Sequence, residues 1–304
     1  WVRAYMHEAY LWYSEVPVVD TALAAYNVSP AEVALSRYFE ALKTPLLTGT
    51  GARKDRFSFT LSTAEWNALS QSGVVNGYGF ELLVLASTPP RSGRIAYVQP
   101  GSQAANAGVV RGDRLLAVTV DGATIDFANT TSTAELETLN RTLFSPVPGR
   151  QAGFRLRSTA GLERDVLLTA AQVTTTPVLL SQVLNSGGSN VGYLVFNDFV
   201  LPGEGQLKTV IQNFQNQAVT DLILDLRYNG GGYVYMASQL AYMIAPPSRT
   251  AGKIFERYLF NDKRGTDSRD PGNTVGFLAV SSGASGSGTT SNSPLPNLGL
   301  NRVF

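Results

Sequence analysis

The chain contains no cysteine and a single histidine, His7. Missing cysteine removes disulfides, thiol nucleophiles and thiolate metal sites together. One histidine near the start excludes a multi-histidine metal centre, and any catalytic triad that draws its histidine from the middle of the chain. Charged residues are sparse at 15% and nearly balanced, with a net charge of +1, which leaves no electrostatic case for nucleic acid or acidic lipid. No apolar stretch approaches the ~18 residues needed to span a membrane. Apolar residues, at 44%, and 29 glycines in 304 residues are what the chain has in quantity. This is the composition of a globular protein with mass for two or three domains.

Three textures follow one another. Residues 1–73 read as helical: Tyr5, Ala9, Trp12 and Tyr13 fall on one helical face, with His7 among them as a core or surface residue. Ser29-Pro30 followed by Glu32 predicts an N-cap with proline in the first turn, and Ser62-Thr63-Ala64-Glu65 predicts a short third helix ending near Gly73. Residues 74–173 alternate short β-rich runs with glycine turns: Gly77 to Val84, Arg94 to Val98, Arg114 to Val120, and a hairpin of Phe154 to Arg157 with Arg164 to Leu168. Pro100 to Gly108 predicts a turn and one short helix, and Ser132 to Glu135 a capping box opening another. Residues 174–304 turn to an α/β pattern. There Val191 to Val200 is a strand, Glu204 to Gln217 a helix, and a second strand leads to Asp225, which implies a parallel crossover.

The most informative run is Thr220 to Gly232. Leu222, Ile223 and Leu224 form the continuous apolar segment of a strand buried on both faces. Asp225, Leu226 and Arg227 close it, Gly230, Gly231 and Gly232 follow, and Tyr233 to Ala245 is long enough for a helix. A strand, a glycine turn and a helix leave unpaired N–H groups at the helix start, a place for negative charge. The occupant could be an acyl-transfer oxyanion, a phosphate or nothing. Gly-Lys-Ser/Thr and GxGxxG are both absent, which speaks against phosphate. Asp225 and Arg227 are expected to pair or to position the turn.

Two regions resemble one family. Pro100-Gly101-Ser102 with Ala104, Ala107-Gly108 and Arg111-Gly112-Asp113 resembles a motif of bacterial PDZ domains, and Tyr78-Gly79-Phe80 stands where such domains bind a peptide's terminal carboxylate. Asp225 to Gly232 resembles the AspLeuArgxAsnxGlyGly motif of the carboxyl-terminal processing (tail-specific) serine proteases, which carry a PDZ domain just upstream; the usual proline is Gly230 here. Tyr10 to Pro17 and Asp55 to Ser58 are similar to the prodomain of one bacterial branch. The resemblance implies a multidomain, mixed α+β fold: a helical N-terminal domain (1–73), a β-rich PDZ domain (74–173) and the first part of an α/β protease domain (174–304). It implies a serine endopeptidase whose PDZ domain captures substrate C-termini at Tyr78, Gly79 and Phe80. Gly231 and Gly232 are implied as oxyanion-hole donors. The serine nucleophile and lysine base would lie beyond Phe304.

No cofactor or metal is expected, and the partners are protein or peptide C-termini. A bacterial cell envelope location, periplasmic or lipid-anchored, follows from the resemblance alone. The start at Trp1 and the half-strand character of Leu300 to Phe304 give the expectation of a piece of a longer protein. Two rival readings keep the fold without the chemistry. One is a non-catalytic PDZ peptide-binding or scaffold protein; the other is a relative that uses the protease fold to hold an apolar ligand. Ser281, Ser282, Ser285 and Ser287 fall in a Gly/Ser/Thr-rich stretch, Ser281 to Ser293, that predicts a mobile, solvated linker. Asp262, Asp267 and Asp270 lack calcium-loop spacing and are expected to be solvated.

Overall fold

The computed structural model describes residues 1–144, 146–264 and 271–304. In chain order it forms helices α1 (Val2–Ala9), α2 (Ala31–Leu42) and α3 (Thr63–Ser72), then strands β1 (Val74–Gly77), β2 (Phe80–Ala86) and β3 (Ser92–Val98). Next come α4 (Gln103–Asn106), β4 (Arg114–Val120), β5 (Ala123–Asp126), α5 (Thr133–Phe144), β6 (Gln151–Arg157), β7 (Glu163–Thr169) and β8 (Ala171–Thr174). The remainder is β9 (Val178–Ser186), β10 (Ser189–Phe196), α6 (Leu201–Asn216), β11 (Asp221–Asp225), α7 (Val234–Ile244), α8 (Pro247–Thr250), β12 (Ile254–Arg257) and β13 (Thr274–Gly276). The protein is a mixed helix-and-sheet, multidomain chain. It divides into two compact units, one of residues 1–66 with 247–278 and one of residues 67–246 with 279–304.

In the first unit, Met6, Val16 and Leu42 form a small core against Tyr10, Tyr38 and Phe39. The Tyr10 hydroxyl donates to Asp55 Oδ2 at 2.8 Å and accepts from the Thr44 N–H. Asp55 Oδ1 accepts the Phe57 and Ser58 N–H groups. Burial opposes ionisation of Asp55, but these donors outweigh it and its carboxyl sits below the ordinary range. Two sequence expectations change here. Trp12 and Tyr13 lie beyond the end of α1, which stops at Ala9 because the chain turns extended at Tyr10. Pro30, not Ser29, precedes the first helical residue of α2, and no side chain caps that end. The third helix forms as expected and opens on a capping box, with the Glu65 N–H donating to Ser62 Oγ and the Ser62 N–H to Glu65 Oε2.

The second unit has two cores. Strands β2, β3, β4, β6 and β7 lie side by side in that order, with β5 on β4. Their inward residues, among them Ile95, Leu115, Val118, Phe154 and Leu156, are nearly inaccessible and pack against Leu139 of α5. Burying each such side chain stabilises by roughly 1.5–3 kcal/mol. The other core lies on the β9-β10-β11 sheet, in which β10 and β11 run parallel, Val191 opposite Asp221. Helix α6 makes the crossover, and its Leu207, Ile211 and Phe214 pack with Phe196, Leu222 and Met236. Gly192 is needed in β10 because a Cβ there would sit 2.9 Å from the Phe214 ring. Val303 bridges to Leu222 in parallel, and the Phe304 N–H donates to the Leu222 carbonyl at 2.9 Å.

Strand β10 ends at Phe196, not at Val200. The next residues leave the ladder because they bond to the glycine turn instead, as described below.

Candidate functional site

The turn after β11 is held by the segment that follows β10. The Gly230 N–H donates to the Asn197 carbonyl at 2.8 Å, the Phe199 N–H to the Gly231 carbonyl at 2.7 Å, and the Tyr233 N–H to the Phe199 carbonyl at 2.8 Å. Asn229 ties both sides together: its Nδ2 donates to the Phe196 carbonyl and its Oδ1 accepts the Gly231 N–H at 2.8 Å. Gly231 and Gly232 have φ of +91° and +129°, conformations that side chains disfavour. Gly232 is also sterically required, since a Cβ would lie 2.2 Å from the Phe199 carbonyl oxygen. The two expected donors therefore differ. The Gly231 N–H is consumed by Asn229, while the Gly232 N–H has no acceptor among the described residues. Directly after it begins α7, whose start carries no side-chain cap, so its orphan N–H groups add positive potential.

Asp225 and Arg227 pair with each other, as expected. The Arg227 guanidinium donates to both carboxylate oxygens, and Tyr193 donates to Oδ2 at 3.0 Å. The Arg227 bonds hold the Asp225 carboxyl far below its ordinary range. Arg111, from the loop before β4, donates to the Tyr228 hydroxyl at 2.9 Å, and the Tyr97 ring lies 5.8 Å from that of Tyr228. These contacts dock the face of β3 against the segment leading into the glycine turn.

Tyr78 and Gly79 form the loop between β1 and β2, and Phe80 opens β2. Gly79 has φ of +93°, and a Cβ there would meet Ser102 Cβ at 2.1 Å. Its carbonyl accepts from the Gln99 N–H and the Tyr78 carbonyl from the Ala104 N–H. The Tyr78 and Gly79 N–H groups have no acceptor among the described residues. The loop thus holds two N–H donors without a protein acceptor among the described residues, which are chemically able to receive a carboxylate. Phe80 packs edge-on against Phe154, ring centroids 5.3 Å apart.

This loop opens into a cavity of about 340 Å³ whose lining includes Glu81, Tyr97 and Asp198. Asp198 stands just after β10, with Oδ1 3.0 Å from the point where a Gly230 Cβ would be. Burial, and then the charge of Glu81, push the Asp198 carboxyl up to about 7. Glu81 is exposed when the whole residue is measured, yet the cavity walls crowd it enough to raise its carboxyl as well. Sequence reading missed both acids, because nothing in either local motif announces a partner 117 positions away. Asn197, 1% exposed, was also missed; its side-chain amide has no partner among the described residues.

The serine-rich stretch is not a solvated linker. Glu204, 2% exposed in the first turn of α6, accepts from the Ser282 N–H at 2.6 Å, Ser282 Oγ at 2.5 Å, Thr289 Oγ1 at 3.2 Å and Gln239 Nε2 at 2.8 Å. The Gly205 N–H donates to the Ser287 carbonyl, and Ser281 and Ser287 are buried. A buried carboxylate requires donors, and a loop of small residues brings them within reach; Ser285 stays in solvent. Of the three aspartates, Asp262 begins a short 3-10 turn, while Asp267 and Asp270 lie outside the described residues. Among the described residues no three metal-ligating side chains cluster, and no helix is long and apolar enough to cross a membrane.

Residues 190–288 match the model of peptidase family S41, and residues 1–59 that of the peptidase S41 N-terminal domain. No curated protein matches the chain. Among solved structures, an S41 protease from Bacteroides fragilis is 20% identical, aligns over 100% of this chain and 70% of its own, and has a TM-score of 0.53, which shows a shared fold. The photosystem II D1 C-terminal processing protease is 20% identical over 80% of this chain and 62% of its own, with a TM-score of 0.41. The PDZ domain of a carboxy-terminal protease from Vibrio cholerae, solved with a peptide, is 17% identical over 33% of this chain and 97% of its own, at 0.26. The chain belongs to peptidase family S41.

Proposed function

We propose that this chain is the N-terminal, PDZ and leading catalytic portion of a tail-specific serine endopeptidase. Residues 74–173 bind substrate C-termini as a PDZ domain, with Tyr78 and Gly79 offering N–H groups to the terminal carboxylate and β2, from Phe80 onward, offering its free edge to the peptide strand. Residues 174–304 contribute the oxyanion turn to a catalytic domain whose serine nucleophile and lysine base come from outside these residues. A desolvated, neutral lysine can take a hydroxyl proton, which suits a chain with one histidine. The location, by the same family reading, is the bacterial cell envelope.

The observation that carries the reading is the glycine turn itself. Gly232 is fixed by Phe199 with its N–H unspent, at the open start of α7, as an oxyanion donor must be. One such donor supplies roughly 3 kcal/mol of transition-state stabilisation. Of the two glycines, Gly232 is the stronger donor candidate, since the Gly231 N–H would have to leave Asn229 first. The test is hydrolysis of matched peptides by the full-length protein. Peptides with a free C-terminus are cleaved faster than amidated copies, and replacing the predicted serine by alanine abolishes cleavage. Equal rates for free and amidated peptides remove the PDZ role; cleavage surviving loss of the serine removes the mechanism.

A further inference from the structure

Strand β2 pairs with β3 on one side only, so its other edge is open among the described residues. Successive side chains of a strand point to opposite faces. Phe80 goes to the core beside Phe154, and Glu81 goes to the other face, in register with Tyr97 of β3. On that face Glu81 shares the cavity with Asp198. Neither carboxylate has a hydrogen bond or ion pair among the described residues, and no lysine or arginine lines the cavity. The same cavity is lined by Tyr78, 3% exposed, whose hydroxyl has no partner. Two crowded carboxylates without a cation are an uncompensated charge. Their proximity shows in the upward shift each contributes to Tyr97, after that ring's own burial.

A peptide strand added beside β2 with its terminal carboxylate at the Gly79 loop places its last side chain on the Phe80 face. Its penultimate side chain then falls on the Glu81 face. Resting on the carboxylate-docking reading above, we propose that Glu81 and Asp198 are specificity-determining residues that select a lysine or arginine at the penultimate position of the substrate's C-terminus. A cation there satisfies both acids and removes their mutual repulsion. A glutamate there adds negative charge to a cavity whose acids already have no cation among the described residues.

The test measures binding of fluorescent ten-residue peptides to this chain by anisotropy. The peptides differ only at the penultimate residue, Lys, Ala or Glu, and each is made as free acid and as amide. The expected order for the free acids is Lys tighter than Ala by about five-fold, with Glu weaker still, the scale of a cross-strand charge pair. The Glu81→Gln, Asp198→Asn double variant loses this order but keeps its preference for free acid over amide. Equal binding of the three free acids, with free acid still preferred over amide, overturns the specificity role and leaves carboxylate docking standing. Equal binding of acid and amide overturns both, because the register of the penultimate residue depends on the docked terminus.

Discussion

Asp198→Asn is the most direct probe of the acid pair. The folded protein raises this carboxyl from an ordinary value of 3.8 to about 7, chiefly by burial and then by the Glu81 charge. Between about pH 4 and 7 the folded state therefore holds a proton that the unfolded chain has released, so stability falls as pH rises through that window. About three units at 1.36 kcal/mol each set an upper bound near 4 kcal/mol, and partial solvent access at the half-buried residue reduces it to about 2–3 kcal/mol. Asparagine keeps the shape and never ionises. The variant is thus expected to match the parent at pH 4 and to exceed its stability by about 2–3 kcal/mol at pH 8. Urea unfolding of both proteins at pH 4, 5.5, 7 and 8 reads this difference, and contributions from other carboxylates cancel between them. Adding Glu81→Gln to both should shrink the gap, because the second cause is then gone. A difference that does not change with pH, or a parent more stable than the variant at pH 8, would refute the reasoning.

The glycine turn and the serine-rich loop yield two further expectations. Gly232→Ala drives a methyl into the Phe199 carbonyl and should abolish the turn, whereas Gly231→Ala meets nothing within 4 Å and should cost only backbone strain, about 1–3 kcal/mol; comparable thermal melts for the two would contradict this packing. Glu204→Ala removes the acceptor of the Ser282 N–H and Oγ and leaves Gln239 Nε2 only the Val280 carbonyl, and is expected to cost about 1–3 kcal/mol. Amide exchange over 281–290 should speed up selectively in that variant, and unchanged exchange would mean that Glu204 does not pin the loop.

Local chemistry was legible in the sequence wherever a few neighbouring residues decide the outcome. The helix start at Ser62–Glu65, the apolar run of β11, the glycines after it and the parallel crossover through α6 all follow from spacing and conformational preference, and all formed. Helix limits in the first unit were less legible, because the aromatic face around Trp12 fits a helix equally well until Tyr10 is drawn off to Asp55. Tertiary structure alone decided what depends on distant segments. It chose which of two adjacent glycines keeps a free N–H, because Asn229 reaches one and not the other. It turned a stretch with the composition of a linker into an ordered loop, through a carboxylate 78 positions earlier. It brought Glu81 and Asp198 into one cavity, where burial raises both carboxyls and the Glu81 charge raises Asp198 further. Such effects depend on distance through space and on desolvation, and neither is written in the order of residues along the chain.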